Sequence, residues 1–218
     1  VALDGKDVLG TAQTGTGKTA AFGIPLINFL LKTKKDTALI MTPTRELATQ
    51  VMQSMTNLIG RGNIRTALLI GGDSMQKQLR QMRRSPRLIV GTPGRILDLA
   101  ANGSLQLKHA KKVVIDEVDE TLSLGFRAQL LRIFEFLPVK RQNMVFSATL
   151  SEEVSDFLEA NFTVPVRVEA ARSGTALAQI DQIGYRVPNF LSKVQMLHHL
   201  LENTVDSSKV LVFVQSRA

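Results

Sequence analysis

Six short apolar runs, none of which alternates with polar residues, restrict this chain more than any other feature. They are Asp7-Val8-Leu9, Ala38-Leu39-Ile40-Met41, Ala67-Leu68-Leu69-Ile70, Leu88-Ile89-Val90, Val113-Val114-Ile115 and Met144-Val145-Phe146. A strand with one wet face alternates, whereas a strand covered on both faces reads as continuous apolar sequence. The spacing between the runs predicts helices over 18–31, 46–59, 75–83, 95–100, 126–136 and 152–162. Strands that alternate with helices build an α/β fold, an open parallel sheet with helices on both faces.

Ligands of such sheets bind outside the carboxyl ends of the strands. All six ends here carry polar or glycine-rich segments: 10–19, 42–46, 71–73, 91–95, 116–119 and 147–149. A purely structural protein needs Gly and Pro at turns but rarely charge or hydroxyls at every one. One edge of the sheet is therefore expected to be a working surface.

The segment Ala12, Gln13, Thr14, Gly15, Thr16, Gly17, Lys18, Thr19 fits the phosphate-loop pattern, with Ala12 where that pattern has glycine. Small residues let backbone N–H groups turn inward on phosphates, and the following helix adds its positive end. Lys18 is expected on the β- and γ-phosphates and Thr19 on Mg2+. Gly15-x-Gly17-x-x-Ala20 also matches the dinucleotide fingerprint, which requires an acidic residue about 20 positions later. The second strand ends instead in Thr42-Pro43-Thr44-Arg45, and Asp36 precedes it. A glycine turn without a ligand is the other reading. Asp116 directly follows an apolar strand, where it can hold the water shell of Mg2+ opposite Thr19, and Glu117 is placed to orient and deprotonate an attacking water. The alternative for this pair is a solvated acidic cluster, since Asp119 and Glu120 follow.

Composition bounds the function. The absence of cysteine excludes disulfides, thiolate catalysis and Cys-ligated zinc. No apolar stretch approaches the roughly 18 residues of a membrane span, and the opening residues 1–6 lack the pattern of a signal peptide. This is compatible with an intracellular, cytoplasmic protein. A net charge of +8 favours a polyanionic partner, or simply a basic surface. His109, His198 and His199 lack partners at metal-ligand spacing. Arg80, Arg83, Arg84 and Arg87 read as a solvated helix face, with contact to a polyanionic partner as the alternative.

Taken together, these segments resemble those of the DEAD-box ATP-dependent RNA helicases of superfamily 2. The matching residues are Ala12 to Thr19, Pro43 to Ala48, Gly71-Gly72, Thr92 to Arg95, Asp116 to Asp119 and Ser147 to Thr149, in the family's order. The segment 211–217 also looks like an early motif of the family's second RecA-like domain. The small and polar residues from 169 to 175, without apolar periodicity, read as a linker, taken as 170–178, and beyond it the pattern reads as strands at 180–187 and 209–214 around a helix at 190–203. The resemblance implies a RecA-like ATP-binding domain over 1–169 and the start of a second such domain over 179–218. It implies ATP and Mg2+ at Ala12 to Thr19, Asp116 and Glu117. Asp119, Ser147 and Thr149 are implied to couple nucleotide state to RNA grip. Pro43, Thr44, Arg45, Glu46, Gly71, Gly72, Thr92, Pro93, Gly94 and Arg95 are implied to hold the RNA sugar-phosphate backbone, which carries little sequence information.

Three departures stand out. Val118 replaces the alanine that names the family, two extra methyl carbons that remove no catalytic group. The family's adenine-reading glutamine segment is expected upstream of Val1 and its arginine fingers beyond Ala218, so the 218 residues are expected to bind ATP and RNA weakly with little turnover. An ATP-switched RNA clamp without significant turnover and a DNA-directed helicase are the rival functions.

Overall fold

The computed structural model describes residues 1–12, 16–162, 165–169, 183–203 and 209–214. Gln13, Thr14, Gly15 and the expected linker lie outside them. The chain divides into two compact units, Val1–Gly174 and Thr175–Ala218.

In the first unit strands and helices alternate: β1 (Val8–Thr11), α1 (Lys18–Lys32), β2 (Thr37–Met41), α2 (Arg45–Ile59), β3 (Thr66–Leu69), α3 (Met75–Arg83), β4 (Leu88–Gly91), α4 (Pro93–Ala101), β5 (Ala110–Ile115), α5 (Val118–Ser123), α6 (Arg127–Phe136), β6 (Gln142–Ser147), α7 (Glu152–Asn161) and β7 (Val166–Glu169). The strands form one seven-stranded sheet in the order β3-β4-β2-β5-β6-β1-β7. Every pairing is parallel, so all carboxyl ends share one edge.

The two-residue period of a strand divides each apolar run between two cores. Val8, Ala38, Ile40, Leu88, Val90, Val114, Met144 and Phe146 face a core closed by Phe22, Leu26 and Leu30 of α1 and Val51 and Met55 of α2. Their neighbours Leu9, Leu39, Met41, Ile89, Val113, Ile115 and Val145 face a second core closed by α4, α6 and α7. Burial of each such side chain contributes about 1.5–3 kcal/mol. This is why the runs do not alternate: both faces are dry.

Local signals set the helix ends. Thr44, Ser74 and Ser151 cap α2, α3 and α7 by accepting the N–H of Leu47, Lys77 and Val154. Pro93 opens α4, extending it before the expected start at Arg95. Two elements were not expected from the sequence, α5 and the edge strand β7.

Two expectations need correction. Arg87 is not on a helix face: α3 ends at Arg83, Ser85 turns the chain at φ 50°, and the half-buried Arg87 guanidinium donates to Asp36 O (3.1 Å), Leu30 O (2.8 Å) and Thr33 Oγ1 (2.8 Å). In the second unit the helix α8 (Phe190–Asn203) forms as expected, but residues 183–187 and 209–214 carry no ladder pairing. A strand needs a paired neighbour to satisfy its backbone, and none of the described residues supplies one. Phe190, Leu211 and Phe213 stand exposed there.

Candidate functional site

The register of the sheet brings the strand-end segments together. Thr11 is level with Ser147, Ile115 with Val145 and with Met41, and Gly91 with both Met41 and Leu69. The ends of the six strands β1 to β6 thus lie along one edge, and the polar segments extend from it. Ala12 N–H donates to Ser147 O, Asp116 N–H to Met41 O and Thr92 N–H to Leu69 O, which continue the ladders into those segments.

The first cluster surrounds Lys18, at the start of α1. Gly17 precedes it at φ 91°, a left-handed conformation suited to glycine. The Lys18 ammonium is buried, 3.5 Å from Asp116 Oδ1 and 3.9 Å from Glu117 Oε1, and among the described residues it makes no hydrogen bond. A buried ammonium with unused donors beside a glycine turn suits a phosphate. Asp116 is 3% exposed, and its Oδ1 accepts the Glu117 N–H at 3.1 Å. Burial raises the Asp116 carboxyl above its ordinary range, against the opposing pull of Lys18 and of the Glu117 N–H. Burial also raises Glu117, which is half-buried, again opposed by Lys18. Glu117 holds the backbone at φ 52°, ψ 57°, a region that costs a non-glycine residue about 1–3 kcal/mol and is typical of functional sites.

Thr19, one residue along α1 from Lys18, is partly exposed. One carboxylate and one hydroxyl suit a cation that keeps most of its waters, as Mg2+ does. Among the described residues no group of three His, Cys, Asp or Glu forms a self-sufficient metal cage.

The second cluster lies at the ends of β2, β3 and β4. Pro43, Thr44, Arg45, Glu46, Gly71, Thr92, Gly94 and Arg95 line one concavity, and Gly72 joins Arg45 and Glu46 in the adjoining one. Pro93 is buried beneath, in the first turn of α4. The Arg45 guanidinium lies against the Gly71-Gly72 turn: a Cβ on Gly72 would sit 2.9 Å from Arg45 Cζ, and one on Gly71 would sit 3.2 Å from Nη2. Arg95 is held near Asp98, with Nε 4.0 Å from Oδ2.

Beside the first cluster, where β6 lies between β5 and β1, Asp119 Oδ2 accepts both the N–H and the hydroxyl of Thr149 at 2.9 Å, and Ser147 Oγ donates to Thr149 O at 2.6 Å. The three residues singled out in the sequence for coupling therefore form one hydrogen-bonded chain from α5 to the end of β6. Val118 is fully buried, and its two extra methyl groups pack into the core with Leu122.

Sequence reasoning missed one residue that shapes the second cluster. Gln78 is fully buried in α3, and its Nε2 donates to Ile70 O (2.9 Å) and Asp73 O (3.4 Å), spanning the Gly71-Gly72 turn. A single polar residue inside a polar helix gives no signal of this. His109 is exposed, while His198 pairs with Glu202 (3.2 Å) and His199 with Asn203 (3.0 Å) within α8.

Comparisons with known proteins bear on the family and the fold. A family model described as DEAD/DEAH box helicase matches residues 1–157. The chain is 37% identical over 215 residues to the RNA helicase CrhR of Synechocystis sp., covering 99% of this chain and 44% of that protein. It is 37% identical over 203 residues to the DEAD-box ATP-dependent RNA helicase CshA of Geobacillus kaustophilus, covering 93% and 43%. Among solved structures, a DEAD box protein from the hyperthermophile Methanococcus jannaschii aligns with a TM-score of 0.73 at 33% identity, over 94% of this chain and 55% of that one. The chain spans less than half the length of these two curated relatives. Fold, strand-end segments and sequence relatives agree: the chain belongs to the DEAD/DEAH box helicase family.

Proposed function

We propose that this chain is the nucleotide-binding part of an ATP-dependent RNA helicase, an RNA-dependent ATPase that separates short duplexes or remodels RNA–protein complexes. The observation that carries the reading is the single edge shared by the Lys18–Asp116–Glu117 cluster, the Asp119–Thr149 chain beside it and the Arg45–Gly72–Arg95 concavity.

In this reading the turn at Gly17 and the Lys18 ammonium receive the ATP phosphates, with Ala12 to Thr19 as the cradle. Thr19 and Asp116 would hold Mg2+, which when bound would supply positive charge to offset that of the phosphates. Glu117 orients the attacking water and accepts its proton, while the water oxygen bonds to the γ-phosphorus and the bond from that phosphorus to the ADP oxygen breaks. A carboxylate raised by burial is a better proton acceptor than an exposed one. Arg45 and Arg95, the Thr44 and Thr92 hydroxyls and the backbone of Gly71-Gly72 grip phosphate and sugar without reading bases.

The test is phosphate release from the intact protein with and without RNA, beside its Glu117→Gln variant. Stimulation by RNA that Glu117→Gln abolishes, with ATP binding retained, supports the reading; no stimulated turnover in the intact protein makes it an ATP-switched clamp. Equal or stronger stimulation by DNA overturns the choice of RNA.

A further inference from the structure

The opposite edge of the sheet carries a feature that the site above does not use. The connections that lead into β2, β3 and β4, residues 33–36, 60–65 and 84–87, hold Lys34, Lys35, Arg61, Arg65, Arg84 and Arg87 against Asp36 alone. The sheet sets these connections side by side, since β4 lies between β3 and β2. Adjacent strands are about 4.8 Å apart. Backbone bonds fix their mutual placement: Arg87 N–H donates to Arg65 O (2.8 Å) and Ala38 N–H to Arg87 O (2.8 Å).

A cleft opens among them, with Lys34, Lys35, Arg65 and Arg87 in its lining together with Ser85 and His109. Among the described residues no acidic side chain lines it. The Arg87 guanidinium is committed inward to Leu30, Thr33 and Asp36, and so anchors the loop that presents the two lysines. Lys34, Lys35 and Arg65 are exposed and form no ion pair among the described residues. Thr37, also in the lining, has a buried hydroxyl without a hydrogen bond.

Helix carboxyl ends point to this edge, and cations there gain roughly 0.3–1 kcal/mol each from the helix dipole. That accounts for one basic residue after each helix. It does not account for the second one after each of α1, α2 and α3, of which only Arg87 is used as an anchor, nor for a concavity without acidic side chains among the described residues.

We infer that this cleft is a second RNA-binding surface, which takes the phosphate backbone of a strand that extends past the groove at the carboxyl edge. The inference rests on the RNA reading proposed above. It needs no base contacts, and its contribution is electrostatic.

The experiment uses the intact protein and a variant in which Lys34→Gln, Lys35→Gln and Arg65→Gln are combined. Binding of a short single strand, sized for the groove alone, and of a long single strand is measured across a salt series. Each lost phosphate contact flattens the slope of log affinity against log salt by about 0.7 on a single strand, so three flatten it by about 2. The expected result is that flattening for the long strand only, a higher apparent KM for the long strand, and unchanged kcat at saturating RNA. An unchanged slope for the long strand overturns the inference. Equal losses on both lengths also overturn it, because the cations then act on the groove itself. An Arg45→Ala variant separates the two readings: if it leaves both lengths unaffected, the groove assignment fails, whatever the triple variant does.

Discussion

Replacing Gly72 by alanine tests the arrangement of the proposed RNA groove. The residue stands at φ +75°, and an added Cβ would meet the Arg45 guanidinium, 2.9 Å from Cζ. Left-handed backbone costs a non-glycine residue about 1–2 kcal/mol. Relief of the collision costs folding little, because the obstacle is the far end of a flexible side chain, but it moves Arg45 away from the turn. Gly103→Ala is the matched control: its φ is +77°, and a Cβ there meets nothing within 4 Å. Both variants should lose the same 1–2 kcal/mol, a fall in Tm of about 2–8 °C for a domain of this size. Only Gly72→Ala should weaken RNA binding. The loss should approach that of Arg45→Ala, on the order of tenfold to a hundredfold for one charge-assisted contact worth about 1.5–3 kcal/mol. Thermal melts and RNA titrations of the two glycine variants, Arg45→Ala and the Gly72→Ala/Arg45→Ala double variant provide the cycle. The double variant should bind no worse than Arg45→Ala alone. Additive losses, or equal RNA affinity in Gly72→Ala and Gly103→Ala, would refute the argument.

Other consequences follow from the same geometry. Burial raises the Glu117 carboxyl in the folded state above its ordinary 4.5, so its contribution to stability is fully present below that pH and is lost as pH rises through the raised value. Glu117→Gln should therefore melt higher than the parent at pH 7.5, with the gain shrinking toward pH 4.5; a gain that grows on acidification contradicts this. Gln78→Leu leaves the carbonyls of Ile70 and Asp73 without their donor, and should raise the apparent KM for RNA with little change in kcat. A fall in kcat alone would assign Gln78 another role. Arg87→Met removes three hydrogen bonds from a half-buried guanidinium, and denaturant titration should show a loss of about 2–4 kcal/mol; a loss under 0.5 kcal/mol refutes the anchoring role.

The parts of this fold that were legible in the sequence are those where burial on both faces dictates composition. Leu39 and Met41 alternate with Ala38 and Ile40 between two dry cores, so their run is continuous and its strand plain to see. β7 escaped notice because Val166 and Val168 lie on an exposed edge, where a four-residue strand leaves almost no pattern. Only six residues long, α5 is set off by the left-handed Glu117 and not by apolar periodicity. The run of arginines from Arg80 to Arg87 misled because charge alone does not reveal a helix end; Ser85 and Pro86 break it, and the anchoring role of Arg87 depends on carbonyls more than 50 positions away. At the candidate site the strand-end rule alone puts Lys18, Asp116, Arg45 and Arg95 on one edge. The packing of Arg45 on Gly72 and the Gln78 tie depend on tertiary contact, which no spacing encodes.

The central claim is that the Lys18 cluster and the Arg45 groove are two halves of one coupled site. Its most direct test is the affinity of the intact protein for a non-hydrolysable ATP analogue, with and without saturating RNA, in the parent and in a Thr149→Val variant. Coupling is reciprocal, so RNA should tighten analogue binding by the same factor as the analogue tightens RNA binding. Thr149→Val, which removes a hydroxyl donor to Asp119, should shrink that factor while each ligand binds as before in the absence of the other. Equal analogue affinity with and without RNA in the parent protein would contradict the account.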